Sequence, residues 1–215
     1  SDYLACLTTD QVATIWGAGS EGSIMTWDQV DPAFPATAMT LLAPGEGDEV
    51  TDLMLTDAAG VSTPLRDDTV TNRDPAYRAA SVAVVDGGLT YMSWGQYQTI
   101  INRGQTGIQL VSVDSGAGCV TPSDATIADG SYPLGQSLKL TVSQTALRRP
   151  EVQSFVWYLY GDSNFATISG SGFTGIALTD LPAIREGLQA VYDAAAAAAP
   201  PAVEPTPEAT PTSAG

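Results

Sequence analysis

The chain has 215 residues, of which 44% are hydrophobic, and it carries 24 acidic against 8 basic side chains, a formal net charge of −16. This length and composition fit one large globular domain or two small lobes, and the negative charge argues against binding to nucleic acid or to anionic lipid. The absence of histidine removes the usual general base and the commonest metal ligand, and the two cysteines cannot form a cysteine-based structural zinc site.

The first predicted elements are a short helix, a buried strand and a second helix. A capping-box pattern that begins at Thr8 opens the first helix, which Gly17 ends. The apolar run at 37–43 predicts a buried strand, and the pattern at 49–59 predicts a helix that stops at Gly60.

The segment Pro44–Val50, with the sequence PGEGDEV, joins that strand to the second helix. A turn at a helix N-terminus often cradles an anion, because the first N–H groups of the helix are unpaired and carry partial positive charge. Gly45 and Gly47 would let a ligand approach the backbone, but Asp48 and Glu49 stand where the anion would sit. The loop therefore combines the backbone of an oxyanion site with side chains that repel anions.

Helices and strands continue to alternate along the chain, which predicts an α/β fold. No apolar run approaches ~18 residues, so the sequence predicts no membrane span. The tail at 198–215 is rich in Pro, Glu, Thr and Ala and is predicted to be a disordered linker. The remaining predicted elements are a helix from Asp74-Pro75 to about Val84, a strand at 89–94, a helix ended by Gly104, strands at 107–113 and 138–142, a helical turn capped by Ser123, and helices that begin at Pro150 and near Asp180.

Cys6 and Cys119 have two interpretations. In an oxidising compartment they could form one disulfide, which would close a long loop and contribute about 4–5 kcal/mol in the chain-entropy model. Otherwise they are two buried free thiols.

Three segments follow one another in a specific order between residues 4 and 195. They begin with CLTTDQVATIWG and its continuation GSIMTWDQVDPAFPATAMTLLAPGEGDEVTDLM, followed by GCVTPSDATIADGSYPLGQSLKLTV and by ALRRPEVQSFVWYLYGD. In this order they resemble the second lobe and the C-terminal return segment of the phosphate-binding proteins of ABC importers, which are class II periplasmic solute-binding proteins.

The resemblance implies a periplasmic-binding-protein-like α/β lobe with a mixed sheet flanked by helices. It implies a second lobe at 1–136, and a return strand and C-terminal helices at 137–197 that turn back toward a missing first lobe, which would precede Ser1. It also implies a non-enzymatic, extracytoplasmic protein without a cofactor, in the periplasm or at the cell surface, with its anchoring left open. Such a protein captures a small anion or another small solute and delivers it to an ABC permease.

The resemblance also implies a binding loop, and here the sequence departs from the family. The family's loop typically reads Asp-Ser-Gly-Thr, and the matching positions are Gly47, Asp48, Glu49 and Val50. Two hydroxyl donors and a glycine are lost, and an ionised carboxylate offers only acceptors. Two like charges ~4 Å apart cost on the order of 4 kcal/mol at an effective dielectric constant of ~20. We therefore expect this degenerate loop to bind phosphate weakly or not at all.

Other interpretations of the two acidic residues stay open. Asp48 suits the N-cap of a helix, and Glu49 suits its first turn. They could instead bind a cationic or hydroxyl-bearing ligand. A calcium site that adds Glu46 and Asp52 is a further alternative, although no EF-hand spacing is present.

Two residues outside the loop are candidate ligand contacts. Arg66 falls near the position of a cleft arginine in the family, and Tyr91 follows the Gly87-Gly88 break. The alternative function is a degenerate binding fold that serves as an interaction, sensor or cell-surface module. The return helices are expected to expose an apolar face without a first lobe, so the chain should self-associate or need an upstream partner.

Overall fold

The computed structural model describes residues 2–58, 60, 64–170 and 172–198. The chain divides into two compact units. The first unit consists of Ser1–Lys139 and Ser163–Ala177, and the second consists of Leu140–Asp162 and Leu178–Gly215. The predicted linker lies outside the described residues from residue 199 onward.

Short strands and helices alternate along the chain, as the sequence predicted. The strands are β1 (Cys6–Thr8), β2 (Thr40–Ala43), β3 (Val70–Thr71), β4 (Gly88–Thr90), β5 (Ser112–Asp114) and β6 (Cys119–Val120). The helices are α1 (Thr9–Trp16), α2 (Glu49–Asp52), α3 (Pro75–Val82), α4 (Trp94–Asn102), α5 (Asp124–Ala128), α6 (Pro150–Leu159), α7 (Asp162–Gly170) and α8 (Leu181–Ala197). A π-helical segment, Leu53–Ala58, continues α2.

Side-chain caps fix where the helices of the first unit begin. Thr8 opens α1, Ser93 opens α4 and Ser123 opens α5, each with a reciprocal capping box. Asp74 caps α3, whose first position is Pro75. These caps satisfy backbone N–H groups that have no partner inside the helix.

The strands of the first unit form two three-stranded sheets. In the first, β2 lies between β3 and β4 and pairs in parallel with both. In the second, β5 pairs in parallel with β1 and antiparallel with β6. Because parallel strands end at the same edge of a sheet, the chain leaves β3, β2 and β4 at one edge, where ligands commonly bind in α/β proteins.

The core of the first unit packs under these sheets around aromatic side chains. Ile15 and Trp27 are fully buried, and the Trp27 indole N–H donates to the Gly87 carbonyl oxygen. Cys6 and Cys119 form a disulfide, which joins β1 to β6. The first unit is thus held by a buried apolar cluster and a covalent link between the outer strands of one sheet.

The second unit is a small helical cluster. Leu147, Val156, Tyr192 and Ala195 form its buried core, contributed by α6, α8 and the turn before α6. Arg185 donates twice to the carbonyl oxygen of Tyr160, which ties α8 to the end of α6.

The strand predicted at 138–142 is wrong. The structure assigns no strand to this segment, and Leu138 and Leu140 are 81% and 54% exposed. Its alternating apolar pattern finds no partner strand among the described residues, and an isolated strand leaves its backbone groups unpaired. The sequence also missed β1, β3 and β6, because strands of two or three residues have no detectable period, and it missed α7.

Candidate functional site

The loop after β2 begins deep in the molecule and ends at its surface. Pro44 and Gly45 are buried, whereas Glu46 and Gly47 are exposed. Gly45 has a φ of 109°, and a side chain there would approach the Thr71 methyl group to 2.8 Å. A glycine at 45 therefore lets the loop lie against the end of β3, with a backbone conformation that other residues rarely adopt.

Asp48 uses its own carboxylate to satisfy the helix that the loop opens. Asp48 is the N-cap of α2, and its Oδ1 accepts a hydrogen bond from the Val50 backbone N–H at 3.1 Å. Its side chain is half-buried, and the next residue, Glu49, is exposed. The carboxylate therefore engages a donor that a bound anion would otherwise use.

A buried hydroxyl pair lies beneath the loop. The Thr51 hydroxyl donates to the Gly45 carbonyl oxygen at 2.8 Å and lies 2.7 Å from the Tyr91 hydroxyl. Burial raises the pKa of Tyr91 to about 12, so its phenol stays neutral at physiological pH. Tyr91 also packs edge to face against Trp16. The structure thus places Tyr91 under the loop, where its hydroxyl orients Thr51.

Arg78 lies at the same sheet edge, and the sequence did not single it out. Its guanidinium donates to the Asn72 carbonyl oxygen at 2.6 Å, to the Tyr91 carbonyl oxygen at 3.3 Å and to the Thr90 hydroxyl at 3.3 Å. Only 1% of the residue is exposed. Burial lowers the pKa of Arg78, and the carboxylates of Asp48 and Asp74 oppose that shift. The arginine in the otherwise uncharged helix sequence PAYRAASV was the available signal.

Arg66, the other buried arginine, has a different environment. It is 3% exposed, and its Nε and Nη2 atoms contact the Asp68 carboxylate at 2.5 and 2.8 Å. The same guanidinium donates to the carbonyl oxygens of Ile15 and Ile24. The Arg66 hydrogen bond holds the pKa of Asp68 at about 2. The geometry therefore gives Arg66 a structural contact with the end of α1, and its ligand contact stays a prediction.

The calcium alternative does not match the arrangement of the loop acids. Among the described residues, which include Glu46, Asp48, Glu49 and Asp52, no three His, Cys, Asp or Glu side chains converge to hold a metal ion. In the same part of the chain, no helix combines the length and apolarity that crossing a bilayer requires.

Comparison with known proteins supplies two curated relatives and no matching protein-family model. The SphX protein of Synechocystis sp. is 30% identical over 173 residues, which are 79% of this chain and 50% of the relative. The SphX protein of Synechococcus elongatus is 28% identical over 157 residues, which are 73% of this chain and 45% of the relative. The chain spans about half the length of the curated relatives it matches.

Solved structures show the same fold. A possible phosphate binding protein from Planctomyces limnophilus matches with a TM-score of 0.75 and 22% identity, over 91% of this chain and 66% of that one. PstS from Borrelia burgdorferi matches with a TM-score of 0.61 and 17% identity, over 80% of this chain and 64% of that one. The chain therefore has the mixed α/β fold of these proteins, and the predicted fold class is confirmed.

Proposed function

We propose that this chain is an extracytoplasmic solute-binding protein related to the phosphate binders of ABC importers, with phosphate binding weakened or lost at the loop Pro44–Val50. In this proposal residues 1–136 form the second lobe and residues 137–197 form the return segment. The chain binds a small anion or another small solute and delivers it to an ABC permease, and it performs no catalysis.

One observation carries the proposal for the loop. The Asp48 carboxylate accepts the Val50 N–H, so the side chain occupies the position of an acceptor that a ligand would supply. Phosphate would have to displace this carboxylate and tolerate Glu49 beside it. Neither side chain offers a donor in its ionised form, whereas phosphate oxygens require donors. Loss of ~4 kcal/mol corresponds to about a thousandfold weaker binding.

The disulfide supports the proposed compartment. Cys6 and Cys119 are joined in the structure, and disulfides persist mainly in oxidising environments such as the periplasm and the cell surface. A small-solute carrier for a permease works in the same compartment.

Calorimetric titration of inorganic phosphate into the intact protein tests the proposal. We expect no binding in the micromolar range for the wild type. The triple variant Asp48→Ser, Glu49→Gly, Val50→Thr restores the family's donors and its glycine, and it should bind phosphate more tightly than the wild type. Micromolar binding by the wild type that Asp48→Ser leaves unchanged would contradict the proposal.

The alternative function, an interaction or cell-surface module, draws on the surface of the second unit. Phe155 is 55% exposed, Leu178 is 59% exposed and Val191 is 47% exposed. Exposed apolar side chains of this size mark interaction surfaces when they are contiguous. Light scattering coupled to size-exclusion chromatography would favour this function if the chain formed a dimer that Phe155→Ser dispersed.

A further inference from the structure

The segment 138–142, with the sequence LKLTV, alternates apolar and polar side chains like a strand but pairs with no strand of the described chain. Residues 137–142 form no hydrogen bond with another described residue. Leu138 and Leu140 are 81% and 54% exposed. The segment therefore presents backbone donors and acceptors beside apolar side chains, which is the kind of surface that adds to another strand.

The strands at the edges of the described sheets are too short to pair with all five residues of this segment. β3 and β6 have two residues each, and β1 and β4 have three. A second copy of the segment has the same length and the same apolar pattern, so it can pair at every position.

Charge also favours a second copy as the partner. The chain has a net charge of −16, so most contacts between two copies bring acidic side chains together. From residue 130 to residue 147 the only charged side chain in the sequence is Lys139. Two copies can therefore meet along this stretch without repulsion between acids.

Antiparallel pairing centred on Leu140 fits the segment to itself. It sets Leu138 of one copy opposite Val142 of the other, and all these apolar side chains share one face. It also sets Lys139 opposite Thr141. Parallel pairing in register would instead place the two Lys139 charges side by side, which is unfavourable. The sequence therefore favours the antiparallel register.

The shared apolar face joins a core that already exists in each copy. Val142 packs against the buried cluster of the second unit. In the antiparallel register Leu138 of the other copy lies beside Val142, at the margin of that cluster. Pairing therefore covers a leucine that the single chain leaves exposed. Such support matters, because a two-stranded ribbon is marginally stable by itself.

We propose that the segment 138–142 is a dimerisation strand, which two copies of the chain pair in antiparallel fashion about Leu140. The inference goes beyond the proposed function, because it involves neither the ligand loop nor phosphate. The paired surface is smaller than a standard protein–protein interface, so we expect the dimer to dissociate in the micromolar range.

Leu140→Pro tests the pairing, because proline removes a backbone donor that the single chain does not use. Sedimentation velocity at a series of micromolar concentrations measures monomer and dimer. We expect the wild type to dimerise reversibly, and Leu140→Pro to raise the dissociation constant about tenfold or more. Ser137→Pro lies outside the paired residues and is the matched control, which should dimerise like the wild type.

Cysteine cross-linking tests the register and decides the question if Leu140→Pro does not fold. Leu140→Cys places two cysteines opposite each other, at a Cα separation that suits a disulfide. Ser137→Cys places them roughly 20 Å apart, at about 3.3 Å per residue along the strand. Under mild oxidation we expect Leu140→Cys, and not Ser137→Cys, to give a covalent dimer on a non-reducing gel.

Several results would overturn the inference. The wild type could stay monomeric throughout the micromolar range, or Leu140→Pro and Ser137→Pro could have equal effects on a dimer. Equal cross-linking of the two cysteine variants, or assembly beyond a dimer, would contradict the antiparallel pair. A dimer that Phe155→Ser disperses and Leu140→Pro leaves intact would place the interface on the helices, which supports the alternative function and not the strand pair.

Discussion

Arg66 and Arg78 are both almost fully buried in the first unit, yet their charges are balanced in different ways. Arg66 meets the carboxylate of Asp68, two residues along the chain, and two backbone carbonyls hold the rest of its guanidinium. Arg78 donates to carbonyl and hydroxyl oxygens, and among the described residues no carboxylate oxygen lies within 4.0 Å of its guanidinium nitrogens. Arg66 therefore belongs to a direct ion pair, whereas neutral oxygen acceptors hold Arg78.

Among substitutions around the two arginines, Arg66→Met is expected to cause the largest loss of unfolding free energy. The substitution leaves Asp68 without its partner and removes the donors from two carbonyl oxygens. The two carbonyl oxygens left without donors and the pair to the partly exposed Asp68 together cost about 3–4 kcal/mol, so we expect a loss of unfolding free energy in this range. Urea unfolding followed by the fluorescence of the buried Trp16 and Trp27 measures it.

The exposed pair Arg149–Glu151 provides the matched control, since its side chains are 63% and 65% exposed. Arg149→Met should change the unfolding free energy by about 0.5 kcal/mol or less. A similar loss for both variants would mean that burial does not distinguish the two pairs.

Arg78→Met is expected to cost less than Arg66→Met, about 2–3 kcal/mol, because it leaves acceptors without donors but breaks no ion pair within 4.0 Å among the described residues. Arg78→Lys should recover part of this loss through its charge. The same urea measurement applies. An equal loss of unfolding free energy for Arg78→Met and Arg66→Met would mean that the ion pair of Arg66 adds no stability beyond its hydrogen bonds.

The sequence predicted the scaffold of the loop but not the charge beneath it. The glycines at 45 and 47, the cap at Asp48 and the helix start at Asp74-Pro75 are local signals, because each depends on neighbouring residues. The Arg78 contacts join residues that only the sheet brings together. No pattern within a short window could have shown that its guanidinium reaches the ends of two strands.

Arg66 shows what a family resemblance alone does not reveal about a residue. The resemblance predicts a position near a cleft, but it does not reveal the contacts with Asp68 and Ile15 that hold the guanidinium. The predicted strand at 138–142 is wrong because an alternating pattern identifies a strand only where a partner strand exists. Thr51 was also missed, since its buried hydroxyl gains a role only through Tyr91.

Tyr91→Phe tests the hydrogen bond between the hydroxyls of Thr51 and Tyr91, near Arg78. The variant keeps the ring against Trp16 and the backbone carbonyl that accepts from Arg78, and it removes the hydrogen bond to Thr51. We expect a loss of about 1 kcal/mol in unfolding free energy. Tyr97→Phe, at a partly exposed ring stacked on Trp94, is the control and should change it by about 0.5 kcal/mol or less. Equal losses of unfolding free energy for the two variants would mean that the Tyr91 hydrogen bond to Thr51 adds no measurable stability.

The smallest expected effect is the pH dependence of the Arg66–Asp68 pair. The Arg66 hydrogen bond lowers the pKa of Asp68 from 3.8 to about 2, so the folded state binds this proton less readily than the unfolded state. Stability from the pair is therefore present above the unfolded value and is lost as the pH falls from about 4 toward 2. Because the carboxylate is partly exposed to solvent, we expect a contribution on the order of 1 kcal/mol.

Urea unfolding of the wild type and of Asp68→Asn, measured between pH 5 and about pH 2, isolates that contribution. The wild type should lose more unfolding free energy over this range than Asp68→Asn, which has no carboxylate to protonate. Asp67→Asn changes the neighbouring exposed acid and should follow the wild type. If Asp68→Asn showed the same pH dependence as the wild type, the charge of Asp68 would add no measurable stability through Arg66. The two arginines would then differ only in their hydrogen bonds.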